Sequence, residues 1–92
     1  MRSSFEFEFD ENKSKANKVK HGLDFVEAQS LWDDEAGAIF DARSADEKRY
    51  ALVAKLDGKF WVTIFTMRGE VVRLISVRRA RKEEVSFYEQ NN

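Results

Sequence analysis

The stretch RYALVAKLDGKFWVTIFTM, residues 49–67, decides the fold. Tyr50, Leu52, Ala54 and Leu56 recur at every second position, which places them on one face of a strand over Arg49–Leu56. Asp57-Gly58 separates that run from the next, and a two-residue Asp-Gly link between apolar runs marks a tight hairpin. Lys59 to Met67 then carries bulky residues on both faces: Phe60, Val62 and Ile64 against Trp61, Phe65 and Met67. A strand apolar on both sides predicts a central place in a sheet with both faces covered.

On the C-terminal side, Arg68-Gly69-Glu70 reads as a turn and Val71–Arg78 as the next strand. Arg81–Gln90 reads as a helix with Val85 and Tyr88 three apart, and Asn91-Asn92 as a frayed end. On the N-terminal side, Ala36–Phe40 reads as a short strand and Asp41–Asp46 as a loop. Asp24 opens a short helix with Glu27 in the capping-box position, and Phe25, Ala28, Leu31 and Trp32 point inward. The acids Asp33-Asp34-Glu35 oppose the helix dipole and end that helix near Trp32. Asp10 fits an N-cap and Gly22 a left-handed stop. Between them, Glu11–Lys20 has only Ala16 and Val19 as apolar residues, a largely solvated helix. Phe5, Phe7 and Phe9 alternate with Glu6 and Glu8, a strand with a phenyl face and an acidic face. This order predicts an α+β fold, a small antiparallel meander packed with N-terminal helices and a C-terminal helix, in one domain over residues 1–92.

The chain has no cysteine and no proline, so disulfides and thiolate metal sites are excluded. No stretch approaches the ~18–20 apolar residues of a membrane span. Met1-Arg2-Ser3-Ser4 leads straight into the Phe–Glu alternation without a secretory apolar region. A soluble protein of the cytoplasm is expected. The formal charge is −1, but residues 1–47 hold 12 acids and 6 bases, whereas residues 48–92 hold 5 acids and 10 bases. An acidic half and a basic half suit partners of opposite charge at the two ends, or simply a solvated surface.

The densest chemical signal is Arg73, Arg78, Arg79, Arg81 and Lys82, five bases within ten residues. Arg81 and Lys82 fall at the start of the last helix, where positive charge opposes the dipole. Guanidinium groups around a helix N-terminus bind phosphate; the plain alternative is neutralisation by Glu83, Glu84 or the acidic half. Arg73 and Arg78 face opposite ways in an ideal strand, so they reach one site only if a bulge or strand end re-aims one of them. Lys20 and His21 stand at a helix C-terminus, which favours imidazolium and suits either a proton donor or a C-cap. Glu47 and Arg49 share a strand face, either as a surface ion pair or as a carboxylate poised beside a guanidinium. The acids Asp33, Asp34, Glu35 and Asp41 suggest Mg²⁺, but paired acids in turns are common; no metal ligand and no cofactor is assigned. Trp32, Trp61 and the eight Phe read as core, although exposed rings also stack on bases. No phosphate-binding Gly loop and no Ser or Cys nucleophile motif is present.

In order along the chain, Phe9-Asp10, Lys13, Asn17, Lys20-His21-Gly22, Phe25, Ala28, Asp33-Asp34, Glu47 and Arg49 resemble the BrnT family of type II toxins. So does Arg73-Leu74-Ile75-Ser76-Val77-Arg78-Arg79-Ala80, beside the family's Arg-Ile-Ile-Ser-Ala-Arg core, with Glu84 and Tyr88 after it. The resemblance spans residues 5–90. It implies a RelE-like fold and a metal-independent ribonuclease that arrests translation. It also implies a BrnA-like ribbon-helix-helix antitoxin that binds the toxin, typically as a 2:2 heterotetramer, and alone contacts the operator DNA. On this likeness Lys20, His21, Glu47, Arg49, Arg73 and Arg78 are the expected catalytic residues. Arg79, Arg81, Lys82 and Tyr88 are the expected RNA-binding residues. The basic half alone equally suits a non-enzymatic nucleic-acid-binding module, recognisable by salt-sensitive binding without strand scission, or a domain that docks an acidic protein.

Overall fold

A computed structural model describes residues 5–91; the expectations for Met1-Arg2-Ser3-Ser4 and for Asn92 lie outside them. The hairpin forms as read. Strands β3 (Arg49–Leu56) and β4 (Lys59–Arg68) are joined by Asp57 at φ 51° and Gly58 at φ 77°. Two successive left-handed residues make the turn whose twist matches its flanking strands. β5 (Val71–Arg79) follows β4 antiparallel, and β2 (Ala38–Ala42) pairs antiparallel with β3. β1 (Glu6–Glu8) pairs with the far side of β5, giving the order β1-β5-β4-β3-β2 with β4 in the centre.

One strand expectation changes, and one direction is fixed only by the structure: β1 runs parallel to β5. It leads into helices rather than a hairpin, so no tight turn dictates its direction, and the long connection allows a parallel pairing. β2 starts two residues late and continues through Asp41 and Ala42, which pair with Tyr50 and Arg49. The loop is thereby shortened to residues 43–48. Asp and Ala are poor strand formers; the ladder to β3 and a 2.9 Å ion pair from Lys48 to Asp41 hold them there.

Helix α1 (Glu11–His21) starts where Asp10 accepts the Lys13 N–H at 3.0 Å and stops at Gly22, φ 92°. Its buried residues are polar. Ser14 Oγ accepts the Phe25 N–H at 2.9 Å. The Asn17 amide donates to the carbonyls of Leu23 (2.7 Å) and Val77 (2.8 Å) and accepts the Val77 N–H at 3.2 Å. A strand residue's N–H and C=O point to the same side, so Asn17 covers the edge of β5 just beyond the end of β1. Helix α2 (Phe25–Ala28) has the expected Asp24–Glu27 capping box and tightens into a 3₁₀ turn over Gln29–Asp33, still burying Leu31. Helix α3 spans Lys82–Gln90, so Arg81 is its cap rather than part of its first turn. Asn91 does not fray: its N–H and its Nδ2 both donate to the Phe87 carbonyl.

The sheet separates two cores. On the first face, Leu52, Ala54, Trp61, Phe65, Val72, Leu74 and Val77 pack against Leu23, Phe25, Ala28 and Leu31 of the helical layer. On the second face, Ala38, Ala51, Val53 and Val62 pack with Phe40, Ile64, Ala80, Phe87 and Tyr88. Helix α3 covers only part of this second face, and it contributes no fully buried residue. No helix among the described residues is long and apolar enough to cross a membrane.

Candidate functional site

A single irregularity in β5 builds the site. Ile64 pairs with Ser76 and Phe65 with Leu74, which leaves Ile75 without an opposite residue. One extra residue on one strand is a β-bulge, and it inverts the alternation beyond it. Val72, Leu74 and Val77 therefore all face the helical layer, while Arg73, Ser76 and Arg78 all face the other way. The condition under which Arg73 and Arg78 share a face is met.

Beside the uncovered part of that face lies a groove of about 490 Å³. Its floor is Ala51, Ile64, Ile75 and Ser76; Phe40, Asp41 and Ala42 form the β2 side, and Arg43, Arg49, Arg78, Arg81 and Glu84 supply charge. Arg78 is clamped by Glu84 in two parallel bonds of 2.8 and 2.7 Å, and it donates to the Arg79 carbonyl at 3.1 Å. Glu84 also accepts the Arg81 N–H at 2.7 Å. Arg81 has no acceptor with which to return that bond, so α3 carries half of a capping box. The bond from Glu84 raises the Arg78 guanidinium above its ordinary value. Arg78 in turn holds the Glu84 carboxyl below the usual range.

Arg49 differs. Its Nε is buried and has no hydrogen-bond partner, and no ion pair among the described residues involves Arg43, Arg49 or Arg81. A guanidinium that lines the groove without an ion-pair partner of its own is available to an anion, and the burial of its Nε strengthens that attraction.

The remaining expected residues are distributed elsewhere. Arg73 lies on the same face but outside the groove, held by Glu8 at 2.9 Å. Arg79 faces the helical layer, 5.5 Å above the Trp61 ring. Lys82 is an exposed first residue of α3. Glu47 is exposed in the loop and makes no ion pair with Arg49 among the described residues; it lines a hollow that shares Ala42, Arg43 and Arg49 with the groove. Lys20 and His21 end α1, and neither lines the groove.

Tyr88 is engaged rather than free to stack. Its hydroxyl donates to Asp34 at 2.8 Å and its ring meets Phe60 edge-on at 5.0 Å. Burial and that bond push its phenol up. Asp34 also accepts the N–H groups of Ala36 (3.0 Å) and Lys55 (2.8 Å). Burial alone would raise the Asp34 carboxyl, but the donors from Lys55, Tyr88 and Ala36 outweigh it and hold it below the usual range. Asp34 thus ties α3 to the turn before β2. No group of three or more His, Cys, Asp or Glu suited to a metal ion occurs among the described residues.

Sequence reasoning did not single out Arg43, nor the apolar floor of Ile64 and Ile75. Arg43 follows Asp41-Ala42, whose residue types favour a loop, and Ile75 is re-aimed only by the bulge.

Among known proteins, a family model described as "Ribonuclease toxin, BrnT, of type II toxin-antitoxin system" matches residues 9–84. No curated protein matches the chain.

Proposed function

The chain belongs to the BrnT family, the ribonuclease toxins of type II toxin-antitoxin systems, and from that premise we propose that it cleaves RNA in the Arg49–Arg78–Arg81 groove without a metal ion. The observation that carries this reading is Arg49, a cation in the groove with no carboxylate of its own.

Metal-free cleavage needs the 2′-hydroxyl deprotonated, the pentacoordinate phosphorus stabilised and the 5′-oxygen protonated. The 2′-oxygen attacks phosphorus, the bond from phosphorus to the 5′-oxygen breaks, and a 2′,3′-cyclic phosphate and a 5′-hydroxyl result. Fixed positive charge aimed at the developing oxyanion is usually the largest contribution. Arg49 supplies it most directly. Arg78 adds charge in an orientation that Glu84 sets, and Arg81 adds charge at the rim. Glu47, exposed beside Arg43 and Arg49, takes the 2′-proton, and solvent returns a proton to the 5′-oxygen. Arg73 and Lys82 extend the positive surface for flanking phosphates, whereas Arg79, on the opposite face of the sheet, does not reach RNA bound in the groove. Lys20 and His21 stand outside the groove and have no part in the bond-breaking step proposed here. Tyr88 supports RNA binding only indirectly, by seating α3.

Family membership supports the wider reading. A type II system implies a protein antitoxin. A BrnA-like ribbon-helix-helix antitoxin would neutralise this chain in the cytoplasm, in a heterotetramer, and would alone contact the operator. Free toxin would arrest translation by destroying RNA.

The test is incubation of purified protein with RNA in EDTA. Fragments ending in 2′,3′-cyclic phosphate are expected, with Arg49→Ala slowing cleavage by about 10²–10³-fold and Glu47→Gln slowing it while leaving RNA binding in place. Intact RNA with the wild-type chain removes the proposal.

A further inference from the structure

The groove is crossed by one rung of the sheet that is apolar where its surroundings are charged. Phe40 pairs with Ala51, Ala51 with Ile64 and Ile64 with Ser76, so these four side chains stand in one row across β2, β3, β4 and β5. All four line the groove. Large and small residues alternate along the row, which leaves room over Ala51 between Phe40 and Ile64. One wall of that slot is braced, because the Phe40 ring meets Phe87 edge-on at 5.2 Å. Ile75, which the bulge leaves without an opposite residue, adds apolar surface beside Ser76.

Cations stand on either side of this row. Arg49 precedes Ala51 by two residues on β3, and Arg78 follows Ser76 by two on β5. Each therefore springs from the backbone about 6–7 Å from the row, on opposite sides of it. Arg81 stands at the Arg78 end, since Glu84 binds both its N–H and the Arg78 guanidinium. The two acids of the groove are already engaged, Asp41 by Lys48 and Glu84 by Arg78. A bare phosphate chain meets the cations and leaves the apolar row in water. A ligand that covers both has a flat apolar body between two anionic groups, which describes one nucleotide of a strand.

We infer that the row is a nucleobase subsite: one base of the RNA, turned out of its stack, lies between Phe40 and Ile64, and the phosphates on its two sides go to Arg49 and to Arg78 with Arg81. This inference rests on RNA entering the groove, not on the roles assigned in bond breaking. A base within a duplex has its faces covered by its neighbours and shows a protein only its edges, so the subsite admits single strands and excludes paired RNA. Ser76 is the one neutral polar side chain among the described residues that line the groove. Thr63 Oγ1 donates to its carbonyl at 3.0 Å and so fixes its backbone. Its hydroxyl, both donor and acceptor, meets the edge of the seated base. A single hydroxyl ranks the four bases without demanding one of them.

The probe is a short 2′-fluoro RNA strand, which has no 2′-nucleophile and so reports binding without cleavage. It is titrated against the full chain in three forms: single, annealed to its complement, and abasic with the same phosphates. The single strand is expected to bind at least about tenfold more tightly than either other form. Ile64→Ser is expected to remove that difference and to keep the weaker binding of the abasic strand, which also reports that the variant folds. Phe40→Ala, at a half-buried position, carries the same test should Ile64→Ser unfold. Ser76→Ala is expected to change the ranking of the four homopolymer strands by about threefold while the preference for single strands stays. Equal binding of the three forms by the wild-type chain overturns the inference, and so does a single-strand preference that survives in both Ile64→Ser and Phe40→Ala. Discrimination by a chain that never cuts RNA keeps the subsite and abandons the bond-breaking roles. Cleavage of single and paired RNA at equal rates keeps those roles and abandons the subsite.

Discussion

The two faces of the sheet are made from the same five strands, yet they behave as different materials. The first is dry over most of its length, with Phe25, Ala28 and Leu31 at 1%, 0% and 0% exposure against β4 and β5. The second is half bare, and its open half carries guanidinium groups over an apolar floor. The difference teaches where stability and chemistry reside. Removing atoms from the first face should lower stability and leave the rate per folded molecule intact; removing charge from the second should do the reverse.

The strongest test of that division is Phe25→Ala. It empties a fully buried site that Phe9 meets edge-on at 5.7 Å, so unfolding should become easier by about 3–5 kcal/mol, read from the urea midpoint, with cleavage per folded molecule unchanged. Arg49→Ala should give the mirror image, the 10²–10³-fold loss in rate expected above with a urea curve unchanged or shifted slightly toward stability, since a buried N–H without a partner leaves with it. A fall in stability as large as that of Phe25→Ala would erase the distinction between the faces. Asn17→Ala, on the rim of the first face, strands the Val77 N–H and two carbonyls and should cost about 2–3 kcal/mol. Hydrogen exchange should locate that loss at β5.

The smallest effect sharpens the picture from the second face. Glu84 is held below its ordinary value by Arg78. Its contribution is therefore complete above the usual glutamate range and is lost as pH falls through the lowered value. Glu84→Gln should lower stability at neutral pH by about 1–2 kcal/mol and flatten the acid limb of the stability profile. Parallel profiles for the two proteins would show that the Arg78–Glu84 clamp contributes nothing measurable.

Much of the first face was legible in the chain. Tyr50, Leu52, Ala54 and Leu56 declare their side by period two, and Asp57-Gly58 declares its turn, because both signals are local. The caps at Asp10, Asp24 and Gly22 are equally local and stand where read. Non-local choices were hidden. The parallel seat of β1 depends on where two helices deliver the chain, and Asp41-Ala42 becomes strand only because β3 lies beside it. The second face was legible as composition rather than geometry. Arg73, Arg78 and Arg81 announce a basic region, but the groove depends on the bulge at Ile75. A signal existed there: Leu74 and Val77 are three apart, so a strand can bury both on one side only by gaining a residue. Tyr88 looked available because a phenol near the C-terminus has no local partner; Asp34, 54 positions earlier, takes its hydroxyl.

The amide of Asn17 has a consequence for solubility. β1 shields only Val71 to Arg73 of the outer strand, and the stretch that follows is a Leu-Ile-Ser-Val run of the kind that recruits further chains into fibrils. One side chain, imitating a peptide group by presenting a carbonyl and an N–H to Val77, occupies that template at its C-terminal end and keeps neighbouring molecules from annealing there.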